Sequence, residues 1–258
     1  MRGLQERVPV LDSLRCFVLT LQEMTMKLSG LSVFFPAYNE EGHLATTVRH
    51  ATNILPKVAR KWEILIVNDG STDSTAEIAD KLAKSKRVRV IHHKKNRGYG
   101  AAFKSGLYGS KYEWIAFTDS DGQFDFAEIT NFIDLQRKTS ADLVIGYYKK
   151  RKVSRAKILT SKMWEYLVFF LFGLKVRDID CGFKLISKSV VEKIPDLESE
   201  RGAFISSEFL IKAKKNGAKI VEIPVSHYPR TAGQGTGRDL KVIVNSFIDL
   251  FRLWFKLR

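Results

Sequence analysis

Glu113-Trp114-Ile115-Ala116-Phe117-Thr118-Asp119-Ser120-Asp121-Gly122-Gln123 is the stretch on which the fold of this 258-residue chain turns. A short β-like run, 113–118, ends in two carboxylates two positions apart, so both acids leave a sheet together. The same grammar appears twice upstream. Residues 31–35 run apolar into Pro36-Ala37-Tyr38-Asn39-Glu40-Glu41, and 63–67 run apolar into Asn68-Asp69-Gly70-Ser71-Thr72-Asp73-Ser74-Thr75. Further strand candidates lie at 87–91 and 142–146, with helical patterns between. Strands alternating with helices predict an α/β fold. Its sheet is mostly parallel and covered on both faces, and its ligands gather beyond the carboxyl ends of the strands.

Downstream of Gly146 the rhythm changes to a basic stretch at 149–157, an aromatic-rich helix around 164–172 and a strand at 218–225. The tail, 240–258, sets Phe247, Ile248, Leu250, Phe251, Leu253, Trp254 and Phe255 among Lys241, Arg252, Lys256 and Arg258. That pattern is an amphipathic helix, suited either to an anionic membrane interface or to docking on the protein's own sheet. Residues 1–27 place Leu11, Leu14, Phe17, Val18 and Leu21 at helical spacing without the apolar run or cleavage site of a secretory signal. They read as an added helix, or as a start-site artefact preceding translation from Met26.

Composition narrows the classes. A 45% hydrophobic content excludes disorder, and 43 Lys plus Arg against 28 Asp plus Glu, net +15, favours a polyanionic partner: nucleic acid, an anionic membrane or phosphorylated substrates. Two cysteines, Cys16 and Cys181, support neither a disulfide framework nor a zinc site and fit a reducing, cytoplasmic compartment. The apolar stretch 167–174 is bracketed by Glu165 and Lys175, far short of the roughly 20 residues a membrane span needs. The five histidines form no metal-ligand pattern.

The loops carry the chemistry. Pro36 fixes a turn, Tyr38 offers a ring edge or hydroxyl to a base, and Glu40 can accept from base or ribose; the same acids equally suit helix capping. Asp69 emerges as its strand ends, where a carboxylate can accept from a nucleobase, while Asp73 and Ser74 suit the cap of the next helix. The like charges of Asp119 and Asp121 need a counterion. Mg²⁺ or Mn²⁺ supplies it, taking oxygens from Asp119, Asp121 and the Gln123 amide and leaving positions open for diphosphate.

In this order, Pro36 to Glu40, Val67 to Thr75 and Asp119 to Gln123 resemble the signature series of family 2 glycosyltransferases with the GT-A fold, across roughly 30–235. More narrowly, Asn96-Arg97-Gly98-Tyr99-Gly100-Ala101-Ala102, Asp178-Ile179-Asp180-Cys181-Gly182-Phe183-Lys184 and Ile223-Pro224-Val225 are similar to dolichyl-phosphate and polyprenyl-phosphate sugar synthases. The resemblance implies a Rossmann-like three-layer sandwich over 28–237, with a nucleotide-sugar and metal half at 28–146, an acceptor half at 147–237 and the amphipathic helix at 238–258. It implies that Pro36, Tyr38, Glu40, Val67 and Asp69 hold the nucleoside, with Ser120 near the ribose or diphosphate. Asp119, Asp121 and Gln123 would hold the metal, and Lys162, Arg230 and Arg238 would meet the acceptor phosphate. Gly146-Tyr147-Tyr148-Lys149 stands where the mannosyl synthases show Gly-Ser-Arg, and Lys162 where they show Arg, which leaves the sugar open.

The activity so implied is inverting transfer from a nucleotide sugar, of GDP-mannose or UDP-glucose type, to a polyprenyl or dolichyl phosphate at the cytoplasmic membrane face. An ionised phosphate is nucleophile enough, so Asp121 and Arg230 would serve by stabilising charge, and Asp178 by positioning rather than as a base. A saccharide or other hydroxyl acceptor would instead require a true base. Net charge +15 alone would also fit a nucleic-acid-binding protein, but the acid triplet argues for the enzyme and against nucleic acid as partner. Any anchor is then interfacial, or belongs to a partner protein.

Overall fold

The computed structural model describes residues 27–149, 155–200, 202, 204–230 and 240–258. The extension 1–26, most of the basic stretch and Arg238 lie outside them. Among the described residues the strands are β1 (Leu28–Ala37), β2 (Ala59–Asn68), β3 (Val88–His92), β4 (Trp114–Thr118), β5 (Leu143–Tyr148), β6 (Phe183–Ser187) and β7 (Ile220–Val225). The helices are α1 (Leu44–Val58), α2 (Thr75–Ala83), α3 (Tyr99–Gly109), α4 (Ile129–Thr139), α5 (Arg155–Phe172), α6 (Lys188–Lys193), α7 (Phe204–Lys215) and α8 (Leu240–Leu257). The sheet runs β3-β2-β1-β4-β6-β5-β7. Every pairing is parallel except those of β6, which lies antiparallel to both β4 and β5.

The expected strands all form, and β6 is one the sequence reading did not assign. Its direction positions the site. Because β6 starts where β4 ends, with Thr118 opposite Phe183, the loop before β6 meets the acids after β4.

Neighbouring residues on a strand face opposite sides, and here both sides are covered. Val33 and Phe35 pack with Ile64, Ile66, Val48, Leu55, Phe126 and Phe132 on one face, whereas Phe34 packs with Leu65, Phe103, Phe117, Phe209 and Leu250 on the other. Phe34, Phe103 and Phe117 form a mutual ring cluster with centroids 5.0–5.5 Å apart. Each such buried ring contributes about 1.5–3 kcal/mol.

The tail docks on the body with one side and leaves apolar residues of the other exposed. Leu250 and Leu253 of α8 are buried in the body, while Phe247, Ile248, Phe251 and Phe255 on the same helix are exposed. Trp164 of α5 packs edge-on against Phe247 with centroids 5.2 Å apart, and α5 exposes Met163, Tyr166, Phe169 and Phe170 in turn. Among the described residues, no helix is long and apolar enough to cross a membrane.

Candidate donor and metal site

The first two loops are laced together at the carboxyl ends of β1 and β2. Asn39 takes a left-handed φ of 55°, which asparagine tolerates. Its Oδ1 accepts from Thr72 N at 2.9 Å, its own N donates to Ser71 Oγ at 3.0 Å, and Glu40 N donates to Thr75 Oγ1 at 2.8 Å. Asp73 Oδ1 accepts from Thr75 N at 2.9 Å, the capping role expected of it; Ser74 makes no side-chain cap bond. Glu41 and Asp73 are thus engaged in shaping the loops, and Tyr38, 39% exposed, remains open to a ligand. Pro36 and Val67 face each other across β1 and β2. Val67 is fully buried in the core, so only its backbone can meet a nucleoside.

Asp69 is 3% exposed and organises a third loop. Its Oδ1 accepts from His93 Nδ1 at 2.6 Å and Arg97 N at 3.0 Å, and its Oδ2 from Gly98 N at 2.8 Å. His93 Nε2 in turn meets Ser105 Oγ at 2.9 Å. Three of the carboxylate's lone-pair positions are therefore taken by the chain, leaving one for a base. Gly70, at φ +68°, lets this loop close: a Cβ there would lie 2.4 Å from the Lys95 backbone. The motif from Asn96 was visible in the sequence, but the role of His93 was not, because its partner Asp69 lies 24 residues away.

The acids after β4 sit beside these loops. Asp119 is partly buried, and loss of hydration first, then the neighbouring Asp121 charge, push its carboxyl up to about 7. The Tyr99 hydroxyl, donating to Asp119 Oδ1 at 3.1 Å, and the Lys184 ammonium pull the other way. Lys184 is 0% exposed and donates to the Cys181 carbonyl; its own burial lowers its pKa. Gly182 is required here, since a Cβ would lie 2.1 Å from Asp119 Oδ2. Ser120, expected near the ribose or diphosphate, turns inward instead: it is 2% exposed and its hydroxyl donates to the Pro36 carbonyl at 2.6 Å. A serine in that position ties the loop after β4 to the first loop and has no hydroxyl hydrogen left to give a ligand.

Asp121 Oδ1 accepts from Gln123 N at 3.0 Å. Gln123 Nε2 donates to Tyr228 O at 2.8 Å, which leaves its Oε1 for a cation. Arg230 joins the cluster from the far end of the chain, with Nη2 bonded to Glu40 Oε1 and Nη1 3.7 Å from Asp121 Oδ2. Burial raises the Glu40 pKa, and Arg230 opposes that rise. Two carboxylates and an amide oxygen are the hard donors that Mg²⁺ or Mn²⁺ takes, and Asp121 already attracts a cationic group. Among the described residues no group of three His, Cys, Asp or Glu stands placed to hold a metal ion by itself.

Of the two expected acceptor cations among the described residues, Arg230 joins this cluster and Lys162 does not. Lys162 pairs with Glu165 on α5 and donates to the Arg177 carbonyl beyond that helix. Asp178, 2% exposed, accepts from Asp180 N at 3.2 Å and so shapes the turn that carries Gly182. His227 packs edge-on against Tyr148 and Phe124, centroids 4.5 and 5.3 Å away.

Residues 32–195 match the family model described as glycosyl transferase family 2. The dolichyl-phosphate beta-glucosyltransferase of Saccharomyces cerevisiae is 33% identical over 76% of this chain and 66% of its own length, so the chain spans just under two thirds of that relative. The polyprenol monophosphomannose synthase of Mycolicibacterium smegmatis is 32% identical over 78% of each chain. The glucosyl-3-phosphoglycerate synthase of Mycobacterium tuberculosis, crystallised with Mn²⁺, uridine diphosphate and phosphoglyceric acid, superposes with a TM-score of 0.66 at 17% identity, covering 88% of this chain and 78% of its own. That likeness carries the fold, and the family model together with the mycobacterial relative carries the conclusion that this chain belongs to the family 2 glycosyltransferases.

Proposed function

We propose that the chain moves a hexose from a nucleotide sugar to a polyprenyl or dolichyl phosphate, with inversion, using a divalent metal. The observation that supports this most is the meeting of Glu40, Asp119, Asp121 and Arg230 at the carboxyl ends of β1 and β4. There a nucleoside loop, a cation-seeking acid pair and a phosphate-binding guanidinium share one cluster. The curated relatives are transferases or synthases of dolichyl- and polyprenyl-phosphate sugars.

In this reading Tyr38 and the remaining lone pair of Asp69 meet the base, and Glu40 meets the ribose. Asp119, Asp121 and Gln123 Oε1 hold Mg²⁺ or Mn²⁺, which when bound neutralises charge developing on the departing nucleoside diphosphate. Arg230 steadies phosphate charge, and Asp178 holds the turn beneath the acids. The acceptor phosphate arrives ionised, so no residue need act as a strong base. The exposed faces of α5 and α8, flanked by Lys162, Arg252, Lys256 and Arg258, rest on the anionic cytoplasmic surface of the membrane that holds the lipid acceptor.

A thermal-shift screen of nucleoside diphosphates and their sugars, each with and without Mn²⁺, tests the donor side. A metal-dependent rise in melting temperature for one base is expected, because a ligand stabilises the fold that binds it. No shift with any nucleotide and metal would sink the reading.

A further inference from the structure

Resting on the metal reading above, we propose that Arg230 and the divalent cation are alternative partners of Asp121. Binding of metal and donor then hands the guanidinium over to the acceptor phosphate. Arg230 is separated from Glu40 by 190 residues, yet the chain delivers its guanidinium to two carboxylates of the donor site at once. The delivery is built. Ser226 N donates to both Glu128 oxygens at 3.2 and 3.1 Å, and Tyr228 is clamped to Gln123 through Tyr228 N to Gln123 O at 2.9 Å and Gln123 Nε2 to Tyr228 O at 2.8 Å.

The contacts of Arg230 with Asp121 and Glu40 are contested by the donor complex. A dication on Asp121 sets like charge against the guanidinium, which keeps its own charge at all working pH. A ribose or base on Glu40 takes the oxygen that Arg230 now holds. Displaced from both, Arg230 remains tethered two residues from Tyr228 and so stays within the site. There it offers its planar fork of donors to the next phosphate to arrive. An acceptor binding before the donor would find that fork engaged with Glu40 and Asp121.

Mn²⁺ binding to the full chain, read by loss of the free-ion electron paramagnetic resonance signal without nucleotide, tests the competition. Arg230→Gln should bind Mn²⁺ roughly five- to tenfold tighter than the natural chain, as removal of a coupled competitor requires. Should that variant fail to fold by circular dichroism, Arg230→Lys gives the same sign at smaller size. In a second arm, a short-chain polyprenyl phosphate in detergent should bind the natural chain several-fold tighter when Mn²⁺ and a nucleoside diphosphate are present, and Arg230→Gln should lose that dependence. Equal or weaker Mn²⁺ binding by the variant, or acceptor binding indifferent to the donor in the natural chain, overturns the exchange alone. If neither chain binds Mn²⁺ even with nucleotide, the metal reading falls and takes the exchange with it.

Discussion

Gly182→Ala is the sharpest test of where the metal sits. The added Cβ would stand 2.1 Å from Asp119 Oδ2, 2.8 Å from its Cγ and 3.2 Å from Phe124 Cε2. That is roughly 1.3 Å short of ordinary contact, so the Asp119 carboxylate must swing aside by about 1 Å. Gly182 is not among the positive-φ glycines, so alanine suits its backbone and the effect is steric alone. Overpacking of this size costs about 1–3 kcal/mol of stability. At about 2–4 °C per kcal/mol for a chain of this length, the melting temperature should fall by roughly 2–12 °C with the protein still folded. Displacing a ligand by about 1 Å costs on the order of 100-fold in rate. The assay is sugar transfer from labelled nucleotide sugar at saturating metal, paired with an Mn²⁺ titration. Turnover and Mn²⁺ affinity within threefold of the natural chain would refute the placement of the cation against Asp119.

Other consequences can be checked separately. The Asp119 carboxyl, at about 7 against an ordinary 3.8, holds its proton more tightly folded than unfolded. Acidification from pH 8 towards 6 should therefore stabilise the EDTA-treated protein, and Asp119→Asn should flatten that trend in a melting series. The same proton competes with metal, so Mn²⁺ affinity should weaken about tenfold per unit below pH 7 in calorimetry, with proton release on binding. Lys212 and Glu208 form an ion pair with both side chains 2% exposed, and Lys212→Ala should cost roughly 3–5 kcal/mol in urea unfolding; a cost below about 1 kcal/mol would show the pair is not truly desolvated. Replacing Phe170, Phe251 and Phe255 together by Asp should abolish flotation with anionic liposomes yet leave the nucleotide-induced thermal shift intact. Flotation undiminished would remove these faces from the membrane. His93→Ala should raise the KM for donor about tenfold with kcat little changed, and an unaltered KM would separate Asp69 from the base.

The sequence exposed what is local and concealed what is distant. Strands β1, β2 and β4 are buried on both faces, so their apolar runs stand out and the polar loops at their ends read directly as site candidates. β6 was concealed because Lys184 interrupts its short apolar run, and the charge is tolerated there only through a carbonyl and carboxylates that tertiary packing brings near. α7 gave no amphipathic signal because it is buried on nearly every side, with Glu208 and Lys212 neutralising each other inside. Ser120 looked like a ligand contact by its place in an acidic triplet; its inward turn follows from a bond to Pro36, 84 residues away. The convergence of Arg230 on Glu40 and Asp121 depends on the segment after the edge strand β7 reaching the ends of β1 and β4, and no spacing rule encodes it.

The reversed strand at the middle of the sheet also bears on how the molecule assembles. β1 to β4 can zip up as the chain emerges, each strand finding its neighbour through one helical crossover, but β5 has no earlier strand to join. It must wait for 183–187 to fill the slot between it and β4. Until then two strand edges carry unpaired backbone groups, a species prone to sticking to other copies. A nascent or cleaved chain ending before Phe183 should therefore aggregate rather than persist as a half-enzyme, and the late-arriving strand doubles as a checkpoint on completeness.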